Sequence, residues 1–374
     1  MRSDGGSGAL GIPARDLGAK EESMRATILV CVLALAACEQ SGAGAKPDVG
    51  APADAELPTS DAFADGADAS AALPDDATAG PEAPPPSDAA TADRDPIPKG
   101  PSCTWSHVDS GTTASLRGIW AFHPTSAWAV GDQGKILHWD GSQWTPVASG
   151  VTSVLLSVWG AAENDVWAVG FSGTILHWDG TAWSKDSTGV TNVFLAYVWG
   201  RSATDVWAVG DDGTFLHWKG SRWVVVAKPF PSGSMTSAWG VSSNDVWAGG
   251  SGGALAHWDG TAWTSVDSRT TAPLEGMWGS GPDDIWAVGN YGTILHFTGS
   301  SWSDLSTGSG WFMGVWGSGP NDAWIVGTTT IRHWDGRAWT ALSQSIPTMY
   351  EISGTSATDV WAVGASGEIQ HCGP

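Results

Sequence analysis

An all-β repeat fold is what this 374-residue sequence predicts, and three observations carry the prediction. A phrase of the form Asp-Val-Trp-Ala-Val-Gly recurs seven times, its tryptophan standing at Trp128, Trp167, Trp207, Trp247, Trp286, Trp324 and Trp361, at intervals of 37 to 40 residues. Each period holds four short runs rich in Val, Ile and Trp, bounded by Gly, Asp and Ser and without helical spacing, which read as strands. Twenty-five of the 26 tryptophans fall on four positions of that period. Four antiparallel strands in about 40 residues make the blade of a β-propeller. Residues 102–374 are therefore expected to form a seven-bladed β-propeller.

The second copy shows each element in order. Its first strand ends at Val158-Trp159-Gly160, its second is Asp165 to Gly170, its third Thr174 to Trp178, and its fourth begins at Trp183. The segments Gly170-Phe171-Ser172-Gly173 and Gly210-Asp211-Asp212-Gly213, and the pairs Asp179-Gly180 and Asp259-Gly260, suit tight turns that need positive φ. The second and third runs are apolar throughout, as a blade packed on both faces requires. The seventh copy stops at His371-Cys372-Gly373-Pro374, without a fourth strand. Trp105, Val108 and Gly111 repeat the spacing of Trp144, Val147 and Gly150, so the N-terminal strand should complete the last blade and close the ring. Cys372 holds the repeat position of Trp139 and Cys103 that of Ser142, which flank a hairpin turn elsewhere. A Cys103–Cys372 disulfide is predicted to replace that turn.

The tryptophans are most economically a core, since each buries about 150–250 Å². The histidines His138, His177, His217, His257, His296, His333 and His371 come one per blade, and no pair has the short spacing of a metal site. The aspartates Asp165, Asp205, Asp245, Asp284, Asp322 and Asp359 precede second strands and are read as turn acceptors. Both sets are scaffold on this reading, with no metal and no cofactor expected.

The N-terminal third is of another kind. From Met24 the chain reads as an export signal: Arg25, an apolar run from Ile28 to Ala37, then Leu35-Ala36-Ala37-Cys38. That ending resembles the lipobox of bacterial lipoproteins, which implies lipidation at Cys38 and removal of 24–37. Glu21 and Glu22 sit badly in a basic signal region, so Met24 is the expected start and 1–23 untranslated. The apolar run is too short to span a bilayer. Residues 39–100 hold 13 acidic and 3 basic side chains among Ala, Pro and Asp, too polar for a core. Residues 38–101 are thus expected to be a disordered, lipid-anchored stalk reaching roughly 40–50 Å. Glu39, where an aspartate would resemble an inner-membrane retention signal, favours the outer membrane or cell surface. Export suits a disulfide.

Residues 101–374 carry 22 acidic and 10 basic side chains, which disfavours nucleic acid and anionic membrane as partners. The membrane is met only through the anchor, and the single closed domain is expected to be monomeric.

Gly213-Thr214-Phe215-Leu216-His217-Trp218, after Asp212, is similar to the strand pair of WD-repeats, and Trp139-Asp140 ends its strand as their Trp-Asp does. The order Ala-Val-Gly, Gly-Thr-Ile-Leu-His, Asp-Gly, Trp more closely resembles the sialidase-like repeats of bacterial and photosystem II assembly-factor propellers. Their Asp-box, Ser-x-Asp-x-Gly-x-Thr-Trp, is one residue longer than Trp178-Asp179-Gly180-Thr181-Ala182-Trp183 here and has a leading serine that this turn lacks. The resemblance implies the fold and carries no activity with it. Sialidases of that group use an arginine triad and a tyrosine nucleophile with a glutamate; the arginines here occupy scattered repeat positions.

Comparison of the seven copies separates scaffold from freedom. The position four before the Trp-Gly tryptophan is always apolar, whereas the next residue varies: Arg117, Leu156, Ala196, Thr236, Glu275, Met313 and Tyr350. The residue before it varies too and includes Phe194 and Trp311, the one tryptophan off the lattice. Strand alternation should send the variable side chains toward the central channel. Arg117, Phe194, Glu275, Trp311 and Tyr350 are expected at one channel mouth, beside Phe171, Asp211, Asp212 and Tyr291, as a candidate ligand site. The plainer reading of Trp311 is a surface aromatic packed on its own loop. With no catalytic constellation, the expected function is a non-catalytic envelope scaffold binding an envelope or extracellular protein. A glycan-binding propeller is the alternative, and a sialidase-like glycosidase or lyase a remote one.

Overall fold

A computed structural model describes residues 103–373, apart from 187–191, 231 and 343–345. The expectations for 1–23, 24–37 and 38–101, Cys38 included, lie outside the described residues. The rest forms seven four-stranded antiparallel sheets, six with their strands in chain order and the seventh combining the last three strands with the first. We number the blades one to seven along the chain. Blade three is representative: Leu195–Ser202 innermost, then Asp205–Gly210, Thr214–Trp218 and Trp223–Val226. The first strands of successive blades pack against one another around the axis, and blade seven meets blade one.

Blade seven is built from both ends of the domain, as predicted. Met349–Ser356, Asp359–Gly364 and Ile369–Gly373 are joined by Thr104–His107 as the fourth strand, with Trp105 opposite Cys372 and His107 opposite Gln370. Cys103 and Cys372 form a disulfide with Cα atoms 5.3 Å apart, closing a loop across 269 positions.

Tryptophan makes the joints between blades. The second-strand indole of each blade meets the fourth-strand indole of the next edge to face, as in Trp167–Trp223 at 5.2 Å and Trp207–Trp263 at 5.3 Å. The two joints of blade seven follow the rule: Trp324 meets Trp105 at 5.4 Å and Trp361 meets Trp144 at 5.5 Å. Such pairs add about 0.5–1.5 kcal/mol beyond the area they bury. The same second-strand indole stacks on the histidine of its own blade, with centroids 3.8 Å apart for Trp286–His296 and 3.9 Å for Trp207–His217. In blades two to seven that histidine shares a hydrogen bond with the aspartate opening the second strand, His217 Nε2 to Asp205 Oδ1 at 2.7 Å being typical. Blade one has Ser126 at the aspartate position, 3.5 Å from His138. Burial raises the pKa of Asp205, but the bonds from His217 and Ser243 outweigh it, and the net shift is downward.

Two turns set the ends of the strands. Between third and fourth strands, Asp179 Oδ1 accepts from the Thr181 hydroxyl and from the amides of Thr181 and Ala182, while Gly180 takes φ +92°. Those bonds, the Thr181 hydroxyl first, hold the Asp179 carboxyl down to about pKa 2. The aspartate thus shapes the turn without the leading serine of the longer box. Between second and third strands the two glycines act differently. Gly210 is extended and is needed because a Cβ would overlap the Phe194 carbonyl, whereas Gly213 takes φ +61°.

Candidate functional site

The second-to-third-strand turns and the loops entering each first strand share one face. In all seven blades the first residue after the extended glycine donates its amide to the carbonyl of the residue preceding the first strand, as Asp211 does to Phe194 at 2.9 Å and Thr328 to Trp311 at 3.0 Å. One backbone bond per blade therefore ties each turn to the loop beside it, and side chains from both emerge together.

The variable position of the first strand is reached by a route the sequence pattern does not show. Leu116 pairs with Gly131 and Gly118 with Val130, so Arg117 is the extra residue of a β-bulge. The same register shift occurs in every blade. Simple alternation is replaced by a bulge, which re-aims the side chain. Arg117 turns toward its neighbours at the mouth: its guanidinium lies over the Tyr350 ring, 4.4 Å from the centroid, and its Nε and Nη2 grip Asp132 at 2.9 and 3.1 Å. A bidentate, partly buried pair of this kind fixes the arginine in one orientation.

The remaining candidates fall into separate clusters around the mouth. Phe171 and Phe194 meet edge to face at 5.1 Å between blades two and three. Asp211 accepts from the Ser234 hydroxyl, and Asp212 accepts from Lys228 Nζ at 3.1 Å. Glu275 is half-buried, and burial pushes its carboxyl up. Tyr291 is 65% exposed at φ +59°, a left-handed conformation a bulky residue adopts only when its neighbours dictate it. Trp311 is half-buried and makes no ring contact with another aromatic among the described residues. The structure thus joins Arg117 to Tyr350 and Phe171 to Phe194, and seats Glu275, Tyr291 and Trp311 on the same face.

Sequence reasoning missed Asp132 and Lys228, the partners of two candidates, and two side chains deeper in the channel. The position after the bulge is Gly118, Ser157, Ser237, Gly276 and Gly314 in five blades but Tyr197 and Glu351 in blades three and seven. Small residues belong there because the next first strand presses close: a Cβ on Gly118 would lie 2.8 Å from the Leu156 carbonyl oxygen. Burial raises the Glu351 carboxyl to about 8 and raises the Tyr197 hydroxyl, which also feels Glu351. Two large polar side chains at a position otherwise held by Gly or Ser were the available signal.

Among the described residues no group of three or more His, Cys, Asp or Glu side chains could hold a metal ion. The His–Asp pairs lie at the opposite ends of the strands from the mouth, one in each of blades two to seven.

No protein-family model and no curated protein sequence matches the chain. Solved structures do. YCF48 bound to D1 peptide is 21% identical with a TM-score of 0.61, covering 72% of this chain and 97% of that one. The WD40 β-propeller domain of Doa1 is 16% identical with a TM-score of 0.58, over 72% and 97%. A streptogramin B lyase structure is 11% identical with a TM-score of 0.64, over 72% and 96%. At these identities the likeness is one of fold, shared by peptide-bound, WD40 and enzyme propellers alike.

Proposed function

We propose that the protein is a non-catalytic cell-envelope lipoprotein whose propeller binds a protein partner across the face carrying the second-to-third-strand turns. One observation carries the reading: a scaffold repeated seven times presents seven different bulge residues at one mouth, Arg117, Leu156, Ala196, Thr236, Glu275, Met313 and Tyr350. The turn tips Gln133, Ser172, Asp212, Gly252, Tyr291, Thr329 and Ser366 repeat only serine. A surface that varies from blade to blade on a constant frame suits an extended, irregular ligand such as a peptide segment. The D1 peptide held by YCF48 on a propeller of like fold adds support. Lipid anchoring at Cys38, a stalk over 38–101 and outer-membrane or surface display belong to the same proposal, motivated by the Leu-Ala-Ala-Cys ending and the acidic, proline-rich stretch.

Photo-crosslinking tests it. A benzoylphenylalanine at Tyr291 should give a discrete adduct in the native envelope, and one at Thr261, on the opposite face, should not. Identical patterns from both positions would overturn the reading. A glycan ligand is the second reading, favoured by the Phe171–Phe194 pair and Trp311 on that face. Binding on a glycan array that disappears in Trp311→Ala would select it.

A further inference from the structure

The central channel holds a second candidate, distinct from the mouth. Below the bulges lies a cavity of about 130 Å³, bordered by the first-strand indoles Trp120, Trp159, Trp199, Trp239, Trp278 and Trp316. Where the seventh indole of the repeat would stand, blade seven has Ser353, and the Ser353 hydroxyl accepts the Ala121 amide at 3.1 Å. Glu351 and Tyr197 are the large polar side chains at its wall. The volume is that of roughly four waters.

We propose that this cavity is a binding site for a small organic cation of the alkylammonium class, with Glu351 as counter-charge and the indoles as its cage. Indole rings attract an ammonium through their electron-rich faces, most strongly where water is excluded. A lone carboxylate among them supplies the charge that a cation needs once it leaves water. Glu351 stands without a cationic partner among the groups that face it. Tyr197 comes from blade three, and the other first strands offer Gly or Ser at that level. One residue above, Arg117 is held by Asp132, and Tyr350 lies under its guanidinium; Glu275 is the other carboxyl at that level. Among the described residues, the hydrogen bond to the Glu351 carboxyl comes from the Ile352 amide, 3.1 Å away. Once deprotonated, the carboxyl repels an anion and stays unpaired beside a neutral guest.

The site has a pH signature. Burial holds the Glu351 carboxyl near 8, so it is mostly protonated at pH 7 until a cation enters. A cation binds the deprotonated form, so binding should tighten about tenfold from pH 7 to pH 9. Tyr197, with its pKa raised by burial, stays neutral over that range.

Titration calorimetry of the full chain with tetramethylammonium chloride and with choline tests the proposal, with 3,3-dimethylbutanol as the uncharged analogue of choline. Saturable binding of both cations, tenfold tighter at pH 9 than at pH 7, and none of the alcohol, is expected. Glu351→Gln should weaken binding at pH 9 at least tenfold and abolish the pH dependence. Absence of cation binding by folded wild type at pH 9, equal binding of the alcohol, or a wild-type affinity that does not change with pH would each overturn it. The wild-type pH profile keeps the test decisive even if the variant fails to fold. Failure here leaves the mouth and its protein partner untouched.

Discussion

Reduction of the Cys103–Cys372 bond should loosen the ring at one defined place. The bond closes a loop across 269 positions, for which chain entropy gives a ceiling of about 5–6 kcal/mol, while removal of native disulfides typically costs about 2–5 kcal/mol. In a domain of this size each kcal/mol shifts Tm by about 2–4 °C, so reduction should lower Tm by roughly 5–15 °C. The structure also says how the loss occurs. The strand Thr104–His107 is held by four register pairs to Ile369–Gly373 and by Trp105, which is buried against Trp324. Trp105→Ala should therefore cost about 3–5 kcal/mol by itself. Both perturbations release the same strand, and a strand already released cannot be lost twice. Reduction of Trp105→Ala should thus lower Tm by clearly less than the sum of the two separate effects. Calorimetry with and without reductant, with the thiol count checked by mass, measures all four states. A Tm that moves by less than about 1 °C on full reduction would refute the closure, and strict additivity would refute release of a common strand.

Gly210→Ala should destabilise by about 2–3 kcal/mol because its Cβ would overlap the Phe194 carbonyl, whereas Gly281→Ala, with open space around it, should stay within about 0.5 kcal/mol; equal urea midpoints for the two would refute the close approach. Acid should weaken the ring over two pH ranges. Burial lowers the His138 pKa, so its share of stability is present above about pH 6.5 and is lost as the pH falls below that value. Asp179 and Asp259, held near 2 by their turn bonds, stabilise above about pH 4 and lose that contribution between about pH 4 and 2. Urea midpoints from pH 7 to 2 should show both declines, and Asp179→Asn with Asp259→Asn should flatten the second.

The ring, the order of its strands and its covalent closure were legible because each rests on a residue type repeated at a fixed period. Trp105 and Cys103 could be placed by counting, and the pairing of Trp105 with Cys372 follows from that count. The bulge at Arg117 was not legible, since nothing in the identity of Leu116 or Gly118 distinguishes a bulged strand from a regular one. Its consequence, an arginine gripping Asp132 fifteen residues on and covering Tyr350 from the other end of the domain, could not be counted out. Glu351 and Tyr197 were legible only as exceptions to a rule of small residues, and that rule has its cause in the spacing between adjacent first strands.

The departures from sevenfold regularity gather in the blade that closes the ring. At the five joints from blade two to blade seven the first-strand indole packs on the Trp-Gly glycine of the next blade, where a Cβ would come within 2.6 Å of Trp159 at Gly200 and 2.7 Å of Trp316 at Gly354, while between blades one and two Gly160 meets Phe122 instead. Between blades seven and one both partners change together, to Ser353 and Ala121, and a hydrogen bond replaces the packing. Blade seven also has Cys372 in place of a third-strand indole, Glu351 in place of glycine or serine, and Tyr350 beside Arg117. A blade assembled from two distant segments would be the weakest joint if it relied on indole packing alone. The disulfide and the buried Trp105 supply that joint by other means. The positions around it are thereby released from the indole packing that constrains the five joints from blade two to blade seven, and they are where the channel gains its carboxyl.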